Sequence, residues 1–281
     1  MSKIYYIPQD EEQKDLLQLD SIMQEKRASE RLIVLLLGSG GRESAMAWRI
    51  ATSPEVEQLY IAPGNGGSEI YGINVPELSG KDFDAIADFI ASHGVNLLVS
   101  GPEEPLVQGI ADYFAKRKED FPHLMVVGPN AQGAQLEGSK DFSKAFMQRY
   151  GIPTASYRTF AANEKSEAVV YLQTLHPPFV LKADGLAAGK GVLIVPTLEE
   201  ATKGFDDLAE GIWGSKGQKI VIEEFLQGIE CSIFVATDGV NYKVLPAAKD
   251  YKRIGDGDMG PNTGGMGSVS PVPFADEAFM E

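Results

Sequence analysis

The sequence predicts an α/β protein in two parts, a parallel α/β domain followed by a unit of mixed α+β type. Three observations carry this. Leu32 to Leu37 is an unbroken apolar run, as a strand buried on both faces requires, and a glycine-rich loop and a helical stretch follow it. Strand-like runs and amphipathic helices then alternate, with short loops, as far as Val127. From Gly138 the alternation gives way to closely spaced strands around a cationic glycine loop, between Phe179 and Val195.

Residues 1–31 are polar, rich in Glu, Gln, Asp and Lys, and contain no glycine. Asp15 to Lys26 can form a helix with Leu16, Leu19, Ile22 and Met23 on one side. The segment reads as a loosely held leader, with a short docking helix as the alternative.

The folded region begins at Leu32, and the first domain is expected to span 32–134. Gly38-Ser-Gly-Gly-Arg-Glu43 follows the first strand, and Ala45 to Ile50 reads as helix. Strand, glycine loop and helix in that order turn N–H groups and a positive helix end toward an anion. A tight βα turn with no ligand fits the same residues. A dinucleotide fingerprint is incomplete, because the third glycine and the acidic residue on the next strand are missing. Leu59 to Ala62 is a second strand, ending in Pro63-Gly-Asn-Gly-Gly67. Phe83 to His93 is an amphipathic helix with Phe83, Ile86, Ala87 and Ile90 on one face. Asn96 to Ser100 reads as a strand, then Gly101-Pro-Glu-Glu-Pro105, a helix to about Lys118, and a strand from Leu124 to Val127. Three polar, glycine-bearing loops thus fall at carboxyl ends of strands, where open α/β sheets bind ligands.

The second domain is expected over 135–281. Ser139 can cap a helix that carries Lys140 and Lys144. Lys182 lies near the end of an apolar strand, and the loop from Gly185 to Gly191 adds Lys190. Glycines let backbone N–H groups approach an anion, and lysine supplies a mobile charge, so the loop suits a polyphosphate. A hairpin loop with two solvated lysines is the plainer reading. Thr197-Leu-Glu-Glu200 is a capping box opening a helix to about Glu210. Lys219 to Leu226 reads as a strand, and Glu230–Ala236 and Asn241–Leu245 as an antiparallel pair joined at Asp238-Gly239. The long stretch from Asp250 to Gly267 is dense in glycine and charge, which marks a functional or a disordered loop.

Composition narrows the chemistry. A chain of 281 residues can hold about two domains, and a net charge of −15 argues against non-specific nucleic-acid binding and against an anionic membrane. A local basic pocket can still hold phosphate. Cys231 is the single cysteine, so no intrachain disulfide forms, and it reads as a structural thiol in a strand. The three histidines are scattered, which leaves a zinc site without support. No apolar run approaches the roughly 20 residues that cross a bilayer, and no signal-peptide core is present, so a cytoplasmic setting is expected.

The order of the signals is more specific than any one of them. Lys140, then Lys182 before a glycine loop, then Glu223-Glu-Phe-Leu-Gln-Gly-Ile-Glu230 resembles the ATP-grasp superfamily, which holds ATP between two α+β lobes. Within it the chain is similar to the phosphoribosylamine–glycine ligase family (glycinamide ribonucleotide synthetases) of purine biosynthesis. The matching stretches are Gly38 to Glu43, Ala62 to Asn65, Gly101 to Glu103, Gln135 to Lys140, Leu181 to Gly191, Glu223 to Leu226 and Gly260-Pro-Asn-Thr-Gly-Gly-Met-Gly267, within roughly Leu32 to Pro273.

The resemblance implies a preATP-grasp domain followed by an ATP-grasp domain with a small lobe at about 154–219. It implies ATP contacts from Lys140, Lys182, Gly185, Gly189, Lys190 and Gly191. Glu223, Glu224, Phe225 and Leu226 would read adenine, and Glu230 the ribose. Gly40, Gly41, Arg42, Glu43, Gly64, Asn65, Gly66 and Glu103 would hold phosphoribosylamine, with Asp258, Pro261, Asn262, Thr263, Gly264 and Gly265 over the acceptor site. It implies ATP-driven ligation of glycine to 5-phosphoribosylamine through a glycyl phosphate, with magnesium or manganese, and no protein partner. The nucleophile comes from the substrate, which fits the absence of a Ser/His/Asp or Cys/His arrangement. Family members run roughly half as long again, so the ATP-grasp domain is expected to be incomplete and its metal ligands to lie beyond residue 281. The chain alone is therefore expected to be nearly inactive and to expose an apolar face. A non-catalytic ATP-binding module and another ATP-grasp ligase are the alternatives.

Overall fold

The computed structural model describes residues 31–186, 191–212, 216–257, 259–263 and 266–280. The helix expected between Asp15 and Lys26 lies outside them. The chain divides into two compact units, Met1–Ala134 and Gln135–Glu281.

The first unit is a five-stranded parallel sheet in the order β3-β2-β1-β4-β5. Its strands are β1 (Leu32–Gly38), β2 (Val56–Pro63), β3 (Ile73–Asn74), β4 (Leu97–Ser100) and β5 (Met125–Val127). The helices between them are α1 (Gly41–Ala51), α2 (Phe83–His93), α3 (Glu104–Val107) and α4 (Ile110–Lys116). Val34 to Leu37 are all fully buried, and the two-residue period sends alternate side chains to opposite faces. Leu35 and Leu37 join a core with Ile86, Ile90 and Phe114, while Val34 and Leu36 join one with Ala47 and Ile61. Helix α2 starts where the Asp82 carboxylate accepts the Ala85 N–H at 3.0 Å and stops at Gly94, whose φ of +64° suits glycine. The single helix expected up to Lys118 is two, because Gly109, at φ +92°, breaks it between α3 and α4. Strand order reverses between β1 and β4, so the crevice at their carboxyl ends is the site such sheets offer a ligand.

The second unit opens with α5 (Ala131–Gly138), which begins in the first, and α6 (Lys140–Tyr150). The Ser139 hydroxyl accepts the Phe142 N–H at 3.1 Å and so caps α6 as expected. A four-stranded antiparallel sheet follows, in the order β6-β9-β7-β8, from β6 (Tyr157–Phe160), β7 (Phe179–Ala183), β8 (Val192–Val195) and β9 (Ile220–Glu223). Helices α7 (Lys165–Leu172) and α8 (Leu198–Ala209) pack on one face. Phe179, Leu181 and Ala183 of β7 and Ile220 and Ile222 of β9 join Phe205 and Leu208 in that core. Strand alternation therefore puts Val180, Lys182, Val221 and Glu223 on the opposite face.

Beyond Glu223 the chain forms short ribbons. β10 (Val235–Thr237) pairs with β11 (Tyr242–Val244), β12 (Lys249–Asp250) with β15 (Ser268–Val269), and β13 (Arg253–Gly255) with β14 (Met259–Asn262), before α9 (Glu277–Met280). The expected hairpin at Asp238-Gly239 is there, but shorter than its apolar pattern suggested. Val235, Tyr242 and Val244 are exposed, so no packing extends the pairing. Cys231 lies outside any strand and is half-buried, which corrects its reading as a strand thiol. Part of the 250–267 stretch is ordered as strand rather than loop.

Phe205 is fully buried between α8 and the sheet. Phe205→Ala is expected to cost about 3–5 kcal/mol, read as a lower urea midpoint in circular dichroism.

Candidate functional site

Two clusters of the expected residues form, one in each unit. In the first unit, the loops after β1, β2 and β4 are tied together by side chains. Glu43, in the first turn of α1, is nearly buried, and its Oε2 accepts the Gly40 N–H at 2.6 Å. The backbones of Gly38 and Gly101 close on this carboxylate. A Cβ on Gly38 would stand 2.4 Å from Glu43 Cγ, and one on Gly101 2.2 Å from its Oε1. Arg42 donates to the Gly101 carbonyl at 2.9 Å and to Glu103 Oε1 at 3.2 Å, both near solvent.

Asn65 is the second tie. Its amide donates to the Ser39 and Gly40 carbonyls at 2.8 and 3.2 Å, and its oxygen accepts from Gly67 N–H, Ser68 N–H and Ser44 Oγ. Gly64 has a φ of +76° and lies against Asn74, whose amide donates to the Asn65 carbonyl. Gly41 and Gly66 have open space where a side chain would be. Of the residues expected here, Glu43 and Asn65 hold the loops in shape, and Arg42 and Glu103 edge the opening.

In the second unit, Lys140, Lys144, Lys182, Glu137 and Glu223 line a cavity of about 520 Å³ with Leu136, Met147, Val192 and Leu226. That size and mixture suit a small ligand with an apolar body and an anionic end. Lys182 Nζ lies 3.0 Å from Glu223 Oε1, and Lys144 Nζ lies 3.1 Å from Glu223 Oε2. Glu223 and Lys144 are buried, whereas the Lys182 side chain keeps 28% exposure. Lys144 also donates to Thr154 Oγ1 at 2.8 Å and to the Ala155 carbonyl at 3.3 Å.

Lys140 Nζ donates to the Gly185 carbonyl at 2.9 Å. Just before it in the chain, Asp184 Oδ1 accepts the Lys140 N–H at 2.7 Å and the Asp141 N–H at 3.2 Å. This pins the start of the glycine loop to the N-terminus of α6, where a carboxylate also suits the helix dipole. Burial pushes the Lys140 ammonium below its ordinary pKa; Asp184 opposes that shift and Lys182 adds to it. Glu224 and Ser156 clasp each other. The Glu224 N–H donates to the Ser156 carbonyl at 3.0 Å, and the Ser156 N–H to Glu224 Oε1 at 2.8 Å. That clasp holds Glu224, and with it Phe225 and Leu226, beside the cavity, and its N–H donor keeps the Glu224 carboxyl below the usual range.

Gly191 accepts the Ala183 N–H at 2.8 Å at the far side of the loop. Glu230 stands at the surface, 3.1 Å from Lys252 Nζ. Pro261 and Asn262 contribute backbone to β14, and the Thr263 N–H donates to the Lys252 carbonyl. Gly189, Lys190, Asp258, Gly264 and Gly265 lie outside the described residues. Sequence reasoning missed Lys144 and Asp184 as site residues. Lys144 sits four residues after Lys140, which puts both on one side of α6, and Asp184 stands between Lys182 and the glycine loop. Among the described residues, no three His, Cys, Asp or Glu side chains stand close enough to hold a metal ion.

The antiparallel lobe, with Lys144 and Lys182 paired to Glu223 on its open face, defines an ATP-grasp protein. Its likeness to a solved phosphoribosylamine–glycine ligase from Thermotoga maritima has a TM-score of 0.69 at 39% identity, over 86% of this chain and 56% of that one. A Campylobacter jejuni biotin carboxylase shares the fold at a TM-score of 0.58 and 15% identity, over 80% of this chain and 53% of that one.

The model of the phosphoribosylglycinamide synthetase N domain matches residues 32–137, and that of its ATP-grasp (A) domain matches 138–281. The chain belongs to the phosphoribosylglycinamide synthetase family. It is 49% identical over 243 residues to a phosphoribosylamine–glycine ligase of Ralstonia nicotianae, covering 85% of this chain and 55% of that protein. It is 46% identical over 242 residues to one of Escherichia coli, again covering 85% and 55%. It thus spans about 55% of the length of these curated relatives.

The packing around Glu43 predicts a contrast between two glycines. Gly101→Ala would push Glu43 off Gly40 and is expected to cost about 1–3 kcal/mol, whereas Gly66→Ala, in open space, is expected to shift stability by less than about 1 kcal/mol. Thermal unfolding of the two variants beside the unaltered protein checks this.

Proposed function

We propose that the second-unit cavity binds ATP and that the chain forms the nucleotide-binding part of a phosphoribosylamine–glycine ligase. The observation that carries this is the set of three lysines lining one cavity, two of them paired with the buried Glu223 carboxylate, in a chain whose curated relatives bear that activity. Lys182 and Lys140 would take phosphate oxygens, Lys182 turning from Glu223 and Lys140 from the Gly185 carbonyl. The apolar side chains of Leu136, Met147, Val192 and Leu226 would flank the base, and the clasped Glu224–Leu226 segment would present backbone groups to its edge.

The reaction needs two steps because a carboxylate is a poor electrophile. A glycine carboxylate oxygen bonds to the γ-phosphorus as the bond to the bridging oxygen breaks and ADP leaves. The amine of 5-phosphoribosylamine then attacks the acyl carbon, inorganic phosphate leaves, and the amine proton is lost to solvent or base. Ammonium groups and backbone amides stabilise the charge that spreads over the transferring phosphoryl group. The first-unit crevice, bounded by Arg42, Glu103 and the Gly64–Gly66 loop, would receive phosphoribosylamine. Pro261 to Thr263 would lie over the acceptor. Magnesium or manganese would neutralise phosphate charge in this chemistry. The described residues provide no cluster to hold it. The setting proposed is cytoplasmic purine biosynthesis. Among the described residues, no helix is long and apolar enough to cross a membrane.

Calorimetric titration with ATP tests the site. Binding is expected, and Lys182→Ala is expected to weaken it roughly tenfold to a hundredfold; absence of binding, or indifference to Lys182→Ala, would overturn the reading. ADP release that requires both glycine and phosphoribosylamine would support the ligase assignment, and release that ignores the amine would contradict it.

The lowered pKa of Lys140 adds a pH dependence. Phosphate favours the charged ammonium, so the bound pKa lies above the free one. Affinity is then complete below the free pKa and falls as pH rises through the bound one. Because the free value is below 10.5, the decline is expected to begin earlier than an ordinary lysine would give. Titrations between pH 7 and 10 check this, with Lys140→Met expected to lose that early limb.

A further inference from the structure

We propose that Lys144 is a positioning residue that takes up the charge of Glu223, leaving Lys182 with an unmatched positive charge for the nucleotide phosphates. This rests on the ATP-site reading above. Three observations point to it. Glu223 has one carboxylate charge and two ammonium neighbours, at 3.0 and 3.1 Å, on different oxygens. The two ammoniums differ in what else they touch. Lys144 is buried and gives its other hydrogen bonds to Thr154 and Ala155, so its three donors are already taken. Lys182 is partly exposed to the cavity and sits on the end of β7 beside the glycine loop.

The backbone fixes this division of labour. β9 is the inner strand between β6 and β7, and its register with β7 pairs Val180 with Glu223 and Lys182 with Val221. Glu223 and Lys182 therefore project from one face in neighbouring positions, and Lys144 reaches the carboxylate from α6. Without Lys144, one carboxylate and one ammonium would neutralise each other in a site of low dielectric. A phosphate would then have to compete with Glu223 for Lys182. Other charges facing Lys182 are Lys140 on α6 and Glu137 on α5, and neither touches Glu223 in an ion pair among the described residues.

The test separates charge from packing. Titrations compare ATP with adenosine, which has the base and ribose but no phosphate. Lys144→Met is expected to weaken ATP roughly tenfold or more while changing adenosine less than about threefold. Adding Glu223→Gln to Lys144→Met removes the competing carboxylate and is expected to restore ATP affinity to within about threefold of Glu223→Gln alone. ATP affinity unchanged in Lys144→Met, equal losses for ATP and adenosine, or no recovery in the double variant would overturn the assignment. Should Lys144→Met fail to fold, the comparison of the double variant with Glu223→Gln still decides. Equality supports the assignment, and a further loss of roughly tenfold for ATP overturns it. An unaltered chain that binds neither ATP nor adenosine defeats the ATP-site reading itself; one that binds both, with variants that depart from these expectations, defeats only the role of Lys144.

Discussion

The second unit depends on a buried carboxylate shared by two lysines. Glu223 ends β9, and charged groups reach it from two other elements, Lys182 from β7 and Lys144 from α6. Removing one partner of a buried ion pair commonly costs about 3–5 kcal/mol, because the charge left behind has no water to turn to. The three residues therefore hold one another in place. The sheet can carry such a group because its two central strands are apolar on the other face, with Leu181, Ala183, Ile220 and Ile222 against Phe205 and Leu208. Strand alternation separates the two duties, stability on one face and charge on the other. A slip of one residue in β9 would bury Val221 where Ile222 belongs and turn Glu223 into the core.

The first unit solves a different problem, chiefly with Glu43 and Asn65. Its loops must expose backbone at the ends of β1, β2 and β4 without collapsing. Close approach there demands glycine, as at Gly38 and Gly101, where any Cβ would strike Glu43. Asn65 then satisfies donors and acceptors on both sides of the gap, so the loops keep one geometry. Loops shaped this way need little rearrangement to take a ligand, which limits the ordering cost of binding.

Much of this could be read in the sequence, for reasons specific to each element. The run from Leu32 to Leu37 has to be a doubly covered strand because no polar residue interrupts it, and Phe83 to His93 has both its apolar stripe and its caps in local sequence. Ser139 and Thr197 announce their helices for the same local reason. Lys140, Lys182 and Glu223 stood out through their order along the chain. Lys144 did not, because its meaning depends on a carboxylate 79 residues away that only the tertiary placement of α6 beside the end of β9 brings near. Glu43 is expected only as a substrate-binding residue, and nothing local shows that Gly38 and Gly101 fold over it. The short β3 and the β12–β15 and β13–β14 ribbons were not legible, because these strands are two to four residues long and none of β3, β12, β13 or β15 carries a buried side chain.

Hydrogen–deuterium exchange with and without ATP tests the central claim most directly, namely that a nucleotide is held on the charged face of the β7–β9 pair. The account predicts slower exchange across Lys182–Ala183, Glu223–Leu226 and the first turn of α6 after ATP is added. Protection confined to the Gly38–Glu43 and Pro63–Gly67 loops, with β7, β9 and α6 unchanged, would contradict it.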